Sequence, residues 1–295
     1  MSKKHFFSAL AVVFALFCSA NAQQWRPVGG SRQANISGMA LIAHEKKVTT
    51  LLVVHDNKKP EQIHATILTI NGADSPIFTP LKWNGTDIPV DLEAVTSVPG
   101  RPGEYMVLAA AGRVYHVRID LKLASVEPIR SFDLPMIPKD SDFESLSLQK
   151  VNDSMLAVWA ERGLTEKPAT VFWSKLDLNT YKFSEVDWAA FRVPYPTADV
   201  RHISDLKVEP TGAVFVTSAS DPGNDGPFSS AAYFAGVFRT DTKGKTVLIQ
   251  PAMFTPLFRF DYHKVEAFDM VPGADGGFVF GTDDENLGAA ILLWN

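Results

Sequence analysis

The sequence predicts an all-β fold, a single β-propeller of five four-stranded blades closed by pairing of its N- and C-terminal strands. Three observations predict it: a phrase that recurs along the chain, a recurrence length that suits one blade, and a last repeat that stops one strand short.

The recurring phrase is an acidic residue, alternating apolar positions, a turn of Gly, Pro, Asn or Asp, and a second apolar strand. It reads "DLEAVTSVPGRPGEYMVLAAAGRVYHVRID" from Asp91, "DFESLSLQKVNDSMLAVWAERG" from Asp142 and "KVEAFDMVPGADGGFVFGTDDENLG" from Lys264. "NISGMALIAHEKKVTTLLVVHDNKK" from Asn35 and "RHISDLKVEPTGAVFVTSASDPG" from Arg201 fit the same frame, with Ser37 and Ser204 where the others carry Glu. The markers Ser37, Glu93, Glu144, Ser204 and Glu266 are thus 56, 51, 60 and 62 residues apart. A four-stranded blade takes roughly 40 to 50 residues plus loops. Two β-sandwiches would not impose such a period, although the long fourth repeat leaves room for a sixth blade.

The elements follow in order. β-Branched and aromatic runs bounded by turn residues predict strands at Thr50 to His55, Ile63 to Ile70, Tyr105 to Ala109, Val114 to Ile119, Ser154 to Trp159, Thr170 to Leu176, Val214 to Ser218, Ala232 to Arg239 and Ala289 to Trp294. Only "EVDWAAFRV", near Glu185, invites a short helix. The last repeat ends after three strands at Asn295, while "QWRPVGG" before the first repeat is strand-like and unassigned. If that segment is the outer strand of the last blade, the ring closes and no open edge remains to aggregate.

Residues 1–22 read as a secretory signal: Lys3 and Lys4, an apolar run from Phe6 to Phe17, and the small-residue stretch Ser19-Ala20-Asn21-Ala22. The run is too short to span a bilayer. The domain then covers 23–295. The only cysteine, Cys18, lies in the signal, and a cysteine-free mature chain suits a bacterial periplasm. Without Lys3 and Lys4 the 28 basic side chains become 26 against 33 acidic ones, a net charge of −7. With no Lys/Arg run longer than a pair, nucleic acid is excluded as the natural partner. A monomer that binds a small molecule or protein at one channel mouth is expected.

First strands line the channel of a propeller, so Glu93, Glu144 and Glu266 should converge there, with Ser37 and Ser204 completing the ring. Converging carboxylates need a cation, protons or water, and calcium takes oxygen ligands of this kind. The alternative is that each Glu bonds backbone amides of the next blade. His202, two residues before Ser204, is a further candidate for the same mouth. Alignment of the repeats sets Asp283 beside His55 and Ser218, and Asp284 beside Asp56, in loops on the face where the first strands begin. Asp283, Asp284, Glu285 and Asn286 are therefore expected at the mouth, or else form a hairpin turn with Leu287 and Gly288. The loop from Asp221 to Gly226 carries the same ambiguity. No G-x-S-x-G elbow, H-E-x-x-H helix or glycine-rich phosphate loop is present. Trp83, Trp159, Trp173, Trp188 and Trp294 could stack on sugars or fill the gaps between blades.

"DLEAVTSVPG", "DFESLSL" and above all "KVEAFDMVPGADGGFVFGTDDENLG" resemble the strand openings and the "TDDEN" phrase of secreted bacterial propellers of the phytase-like and esterase-like, SdiA-regulated type. That resemblance implies a calcium-assisted phosphoester hydrolase, with Glu93, Glu144 and Glu266 holding the metal and Asp283 or Asp284 positioning water. A glycoside hydrolase using inner-strand carboxylates, Glu93 with Glu144, is the alternative enzyme, and Glu144 is then a catalytic candidate. The leading reading from the sequence is a secreted or periplasmic propeller of uncertain activity that binds a small ligand, metal ion or protein at one channel mouth, with the two hydrolases as alternatives.

Overall fold

The structure is a computed structural model that describes residues 24–29, 31–138, 141–151, 154–273 and 277–294. The expected signal, residues 1–22 with Cys18, lies outside these residues. Five sheets follow one another along the chain, one per repeat, as the period predicts, antiparallel except for the short edge strand Lys82–Trp83, which runs parallel to Ser125–Asp133 in the second. Their inner strands are Gly38–Glu45, Leu92–Ser97, Phe143–Val151, Val200–Val208 and Val265–Val271. Each packs against the inner strands on either side, including the last against the first. In the fifth sheet the strand order runs from Arg26–Gly29 through Ala289–Trp294 and Gly277–Thr282 to Val265–Val271. The N-terminal strand therefore completes the last blade, with Arg26 opposite Ile291.

Two sequence expectations change. "EVDWAAFRV" holds the strand Asp187–Phe191, paired with Ala169–Asp177. Its burial alternates residue by residue, with Trp188 exposed and Phe191 buried, a period of two that a helix does not produce. The long fourth repeat hides no sixth blade: its extra length forms Thr246–Ile249 and Pro256–Asp261, which both pair with the 12-residue third strand Ser229–Thr240.

The core is divided as the ring demands. Five clusters of buried apolar side chains occupy the five spaces between neighbouring sheets, among them Leu52 with Tyr105 between blades 1 and 2, and Val158 with Tyr233 between blades 3 and 4. Trp83, Trp159 and Trp173 are buried in these spaces. Blades 4 and 5 meet through a ladder of rings in which Phe258 lies edge-on to Phe278, Phe280 and Trp294. Gly38, at the start of the first inner strand, permits blades 1 and 2 to approach closely: a Cβ there would come 2.8 Å from the Glu93 carbonyl oxygen and the Ala94 Cα.

Around the channel, side chains three residues beyond the repeat markers stitch blades 2, 3 and 5 to the blade that follows. Thr96 Oγ1 accepts from the Leu148 amide at 3.1 Å, Ser147 Oγ from Val208 at 3.0 Å, and Asp269 Oδ2 from Leu41 at 2.7 Å. In blade 4 the equivalent residue is Lys207, which has no acceptor, and Asp205 Oδ2 takes the Phe268 amide at 3.0 Å instead. Blade 1 has Ala40 at this position. The bonds that the sequence reading assigned to the glutamates are thus made by Thr96, Ser147, Asp205 and Asp269. Removing either hydroxyl leaves a buried amide without its partner, so Thr96→Val and Ser147→Ala should each cost about 1–3 kcal/mol in urea unfolding. A loss within error of zero for both would show that the stitching contributes nothing.

Candidate functional site

The three marker glutamates come from equivalent places. Glu93, Glu144 and Glu266 each occupy an interruption in the register of the inner strand, between Leu92 and Ala94, Phe143 and Ser145, and Val265 and Ala267. A bulge residue is released from the ladder and its side chain is re-aimed, which lets both apolar neighbours stay in the core while the carboxyl turns to the channel. All three line one cavity of about 220 Å³ at the mouth where the first strands begin. Asp56 and Lys58 join them from blade 1, Asp91 from blade 2, Asp142 and Arg162 from blade 3, Arg201 from blade 4, and Lys264, Asp283 and Glu285 from blade 5. Every lining residue is ionisable, eight acids against four bases.

The compensating cations are side chains. Arg201 Nη1 lies 2.7 Å from Glu266 Oε1 and 3.7 Å from Glu144 Oε1, while its Nη2 donates to Asp221 at 2.5 Å. Arg162 reaches Glu144 at 3.3 Å and Asp142 at 2.6 Å. The buried Lys264 ammonium meets Glu285 at 2.5 Å, Glu266 at 3.2 Å and Asp283 at 3.6 Å. Burial works against the charges of Arg201 and Lys264, but the surrounding carboxylates, Glu266 foremost, outweigh it and hold both above their usual values. Among the described residues no group of three His, Cys, Asp or Glu side chains is arranged to hold a metal ion. The donor set therefore does not fit the calcium site expected from Glu93, Glu144 and Glu266.

Glu93 differs from its two counterparts. Partly open to the cavity, its carboxyl makes no hydrogen bond or ion pair among the described residues, although Lys58 at the rim pairs with Asp91 at 2.6 Å. Burial, and then the charges of Glu144, Asp56, Glu266 and Asp91, push Glu93 well above the usual carboxylate range. Burial also raises Glu144, to about 7, against the pull of Arg201 and Arg162. Asp56 and Asp283 are raised as well, in each case by burial first and by Glu266 next.

These groups make the fold prefer their neutral forms. The stability they contribute is complete below about pH 4.5, the ordinary value for Glu, and is lost as the pH rises through about 7, where Glu144 ionises. The thermal midpoint should therefore fall between pH 5 and pH 8. Glu93→Gln keeps the shape of the neutral acid and should raise the midpoint at pH 8 by several degrees, at about 2–4 °C per kcal/mol for a chain of this size. An unchanged or lowered midpoint in that variant would mean that Glu93 is ionised in the folded protein.

The remaining sequence candidates lie elsewhere. His55 is buried, with Nδ1 2.6 Å from the Asn35 carbonyl and Nε2 3.0 Å from Thr66 Oγ1, and burial lowers it to about 4. Its neighbour Asp56 faces the mouth in its place, as strand alternation requires. The same alternation turns His202 away and Arg201 inward: His202 Nδ1 accepts from the Val193 amide. Ser37 Oγ accepts from Asp56 N, and Ser204 Oγ donates to the Val265 carbonyl, both inside the blade framework. Ser218 donates to Tyr195 O. Trp188 and Trp294 are exposed, and no tryptophan lines the charged mouth.

The acidic turn divides in two. Asp283 and Glu285 line the cavity. Asp284 instead secures the strand opening, accepting from the Lys264 amide and His263 Nδ1, both at 2.7 Å. Asn286 points outward to Asp225 and Asn224 in the loop from Asp221 to Gly226. Residues Glu285–Leu287 form one 3-10 turn, in which Asp283 Oδ1 accepts from the Glu285 amide. The segment after the N-terminal strand clamps this turn, Arg32 bonding Glu285 and Asn35 bonding Asp283. Arg162, Arg201 and Lys264 are the partners that sequence reasoning left unassigned. The signal was present for two of them, since Lys264 stands two residues before Glu266 and Arg201 opens its repeat.

No protein-family model matches the chain, and no curated protein matches it. Solved structures do. The chain is similar to a GH43 endo-arabinanase from Bacillus licheniformis (11% identity, 92% of this chain and 96% of that one, TM-score 0.50). It is also similar to an endo-arabinase from Bacteroides thetaiotaomicron (9%, 92% and 96%, 0.52) and to an α-L-arabinofuranosidase from Podospora anserina (13%, 92% and 97%, 0.53). At these identities the likeness establishes the fold, a single five-bladed propeller. It also corrects the resemblance to phytase-like and esterase-like propellers, because the neighbours are glycoside hydrolase propellers. The phrase that carried that resemblance, "GTDDENLG", owes its acids largely to local architecture: Asp284 secures a strand opening and Asp283 caps a turn.

Proposed function

We propose that the protein hydrolyses glycosidic bonds at the charged mouth, with Glu93 as proton donor and Glu144 as the ionised carboxylate that attacks or activates water. One observation carries this reading: two carboxyl groups from adjacent inner strands share a cavity, one without a cationic partner and the other held by Arg162 and Arg201. Environments that push two acids apart in protonation supply the acid and the base of one reaction. Glu144 gives up its proton first because two guanidiniums stabilise its charge. That charge in turn helps to keep Glu93 protonated, so the two titrate as a pair.

Protonation of the glycosidic oxygen by Glu93 lets the C–O bond break. The positive charge that develops on the sugar is met by Glu144. Arg162 and Arg201 orient Glu144, while Glu266 and Lys264 complete the buried network behind Arg201. A wholly polar cavity of about 220 Å³ suits one sugar ring whose hydroxyls donate to carboxylates and accept from Lys58 and Arg162. The fold shared with arabinan-directed hydrolases makes α-L-arabinofuranosides the first substrates to try.

The test is release of nitrophenol from a panel of aryl glycosides beginning with the α-L-arabinofuranoside, for the native protein and for Glu144→Gln. Turnover that Glu144→Gln abolishes supports the proposal. No turnover across the panel and on arabino-oligosaccharides, or turnover indifferent to Glu144, ends it. Arg201 sits between Glu144 and Glu266, where a sugar would otherwise fit, and this favours a second reading, binding of a small polar ligand without turnover. Calorimetric binding of free sugars with no hydrolysis would select it.

A further inference from the structure

A groove of about 420 Å³ runs between blades 4 and 5 on the outside of the ring, and it shares no lining residue with the charged mouth. One wall is Pro256–Asp261, an outer strand of blade 4. The other is the place where the two chain ends pair. Leu292 and Trp294 lie two residues apart on one strand and so share a face, and Trp25, next to the Arg26 that opposes Ile291, falls beside Leu292 on that face. The rings form one line across the groove: Trp25 lies edge-on to Phe260 at 5.6 Å, Phe260 is stacked 6.2 Å from Phe258, and Phe258 is edge-on to Trp294 at 5.1 Å.

The gap between these blades is filled at its floor and open at its top. Phe260 and Leu292 are buried, whereas Trp294 is 41% exposed and Trp25 partly exposed. An indole brings an N–H group to an apolar filling, and between blades that group normally finds an acceptor. Trp173 donates to the Thr246 carbonyl at 3.1 Å. The indole N–H groups of Trp25 and Trp294 have no acceptor among the described residues. Arg259 and Asp261 stand one step along the strand from Phe258 and Phe260, and alternation turns both charges to its other face, where the Arg259 guanidinium lies over Tyr195. The walls are therefore uncharged ring surface, edged by two free indole N–H groups and by the backbone of Pro256–Asp261, which pairs only with Ser229–Thr240.

From this geometry we infer that the groove binds a neutral oligosaccharide, with the C–H faces of its sugar rings on the indoles of Trp25 and Trp294 and its hydroxyls on the indole N–H groups and the free strand edge. A sugar ring has the same division as this surface, an apolar face and a polar rim. A charged polymer would find no counter-ion here, and an alkyl chain would cover both N–H groups without bonding them. The volume is nearly twice that of the charged mouth, enough for about two rings, and lies in the range of ligand sites. The site stands whether or not hydrolysis occurs at the mouth.

The test is an NMR titration of protein labelled with 15N-tryptophan, whose six indole N–H signals report on six known places. The probes are cellotetraose, xylotetraose and 1,5-α-arabinotetraose, with 4-phenylbutanol as an apolar control. The native chain is used alongside Glu144→Gln, which keeps any cleavage at the mouth out of the reading. At least one tetrasaccharide should shift the Trp25 and Trp294 signals, assigned through Trp25→Phe and Trp294→Phe, with a Kd of about 1 mM or tighter. The signals of Trp83, Trp159, Trp173 and Trp188 should stay in place. Trp294→Ala should weaken binding at least about tenfold, while Trp188→Ala, exposed on blade 3, should leave it unchanged. No shift of the Trp25 and Trp294 signals with any tetrasaccharide up to about 10 mM, an equal response to 4-phenylbutanol, or affinity that survives Trp294→Ala would overturn the inference. Should Trp294→Ala fail to fold, the signals of the native chain decide the matter.

Discussion

Arg201→Met is expected to destabilise the protein by about 3–5 kcal/mol, the usual consequence of removing one partner from a buried ion network. The guanidinium serves three carboxylates on three segments, Glu144 in blade 3, Asp221 after the second strand of blade 4, and Glu266 in blade 5. Without it Glu144 and Glu266, both nearly inaccessible to solvent, face each other with only Arg162 and Lys264 left to compensate. They would take up protons or draw in water, at the expense of the ring. Arg201→Lys should recover part of the loss, since an ammonium restores the charge but cannot span three acceptors as a planar fork does. Combining Arg201→Met with Glu266→Gln should also recover part of it, by removing one of the stranded charges. Urea midpoints at an unchanged slope measure each term. A loss below about 1 kcal/mol would class the network with solvated surface pairs.

Glu144→Gln should lower turnover of a glycoside substrate by about 10³-fold, within the range for loss of a group that acts directly on the reacting atoms. Glu93→Gln should behave differently according to the leaving group. An aryl glycoside with an acidic phenol needs little protonation and should lose little, whereas an oligosaccharide with a sugar leaving group should lose about 10²–10⁴-fold. The pH profile follows from the same two acids. Activity should rise through about pH 7 as Glu144 ionises and fall at higher pH as Glu93, held up by burial and by the Glu144 charge, finally loses its proton. The falling limb should vanish in Glu93→Gln. A profile that is flat across this range, or equal losses for both leaving groups, would remove Glu93 from the donor role. Stability runs the opposite way over the rising limb, so the protein would become more active as it becomes less stable.

The blade architecture was legible because a propeller writes its repeat into the chain. Each blade must present the same alternation of apolar residues to two neighbours, so Leu92, Phe143 and Val265 recur beside Glu93, Glu144 and Glu266 at blade-length intervals. The missing strand of the last blade was legible for the same reason, as an absence that "QWRPVGG" could fill. The helix expected at "EVDWAAFRV" shows where local reading fails. Its two alanines and its polar ends carry no strong preference, and the edge offered by Ala169–Asp177 decides the matter.

The site was legible only in part. Convergence of the three glutamates follows from symmetry, since equivalent positions in a closed ring face one axis. What fills the space between them does not follow from symmetry, because Arg201, Arg162 and Lys264 occupy different positions within their repeats. His55 was drawn to the mouth by its alignment with Asp283, and His202 by its nearness in sequence to Ser204. One step along a strand reverses the face, so Asp56 and Arg201 line the cavity and the histidines are buried among the blades.

The sequence by itself thus predicted the propeller, the closure of the ring by its termini and the convergence of Glu93, Glu144 and Glu266, because all three are consequences of a repeated apolar pattern, while the absence of a sixth blade in the long fourth repeat came from the structure. Only the tertiary structure decided which acid keeps a counter-ion and which does not. That choice depends on the reach of long cationic side chains across the channel and on burial that no local pattern encodes. It is on the difference between Glu93 and Glu144, identical in kind and equivalent in position, that the proposed roles of acid and base rest.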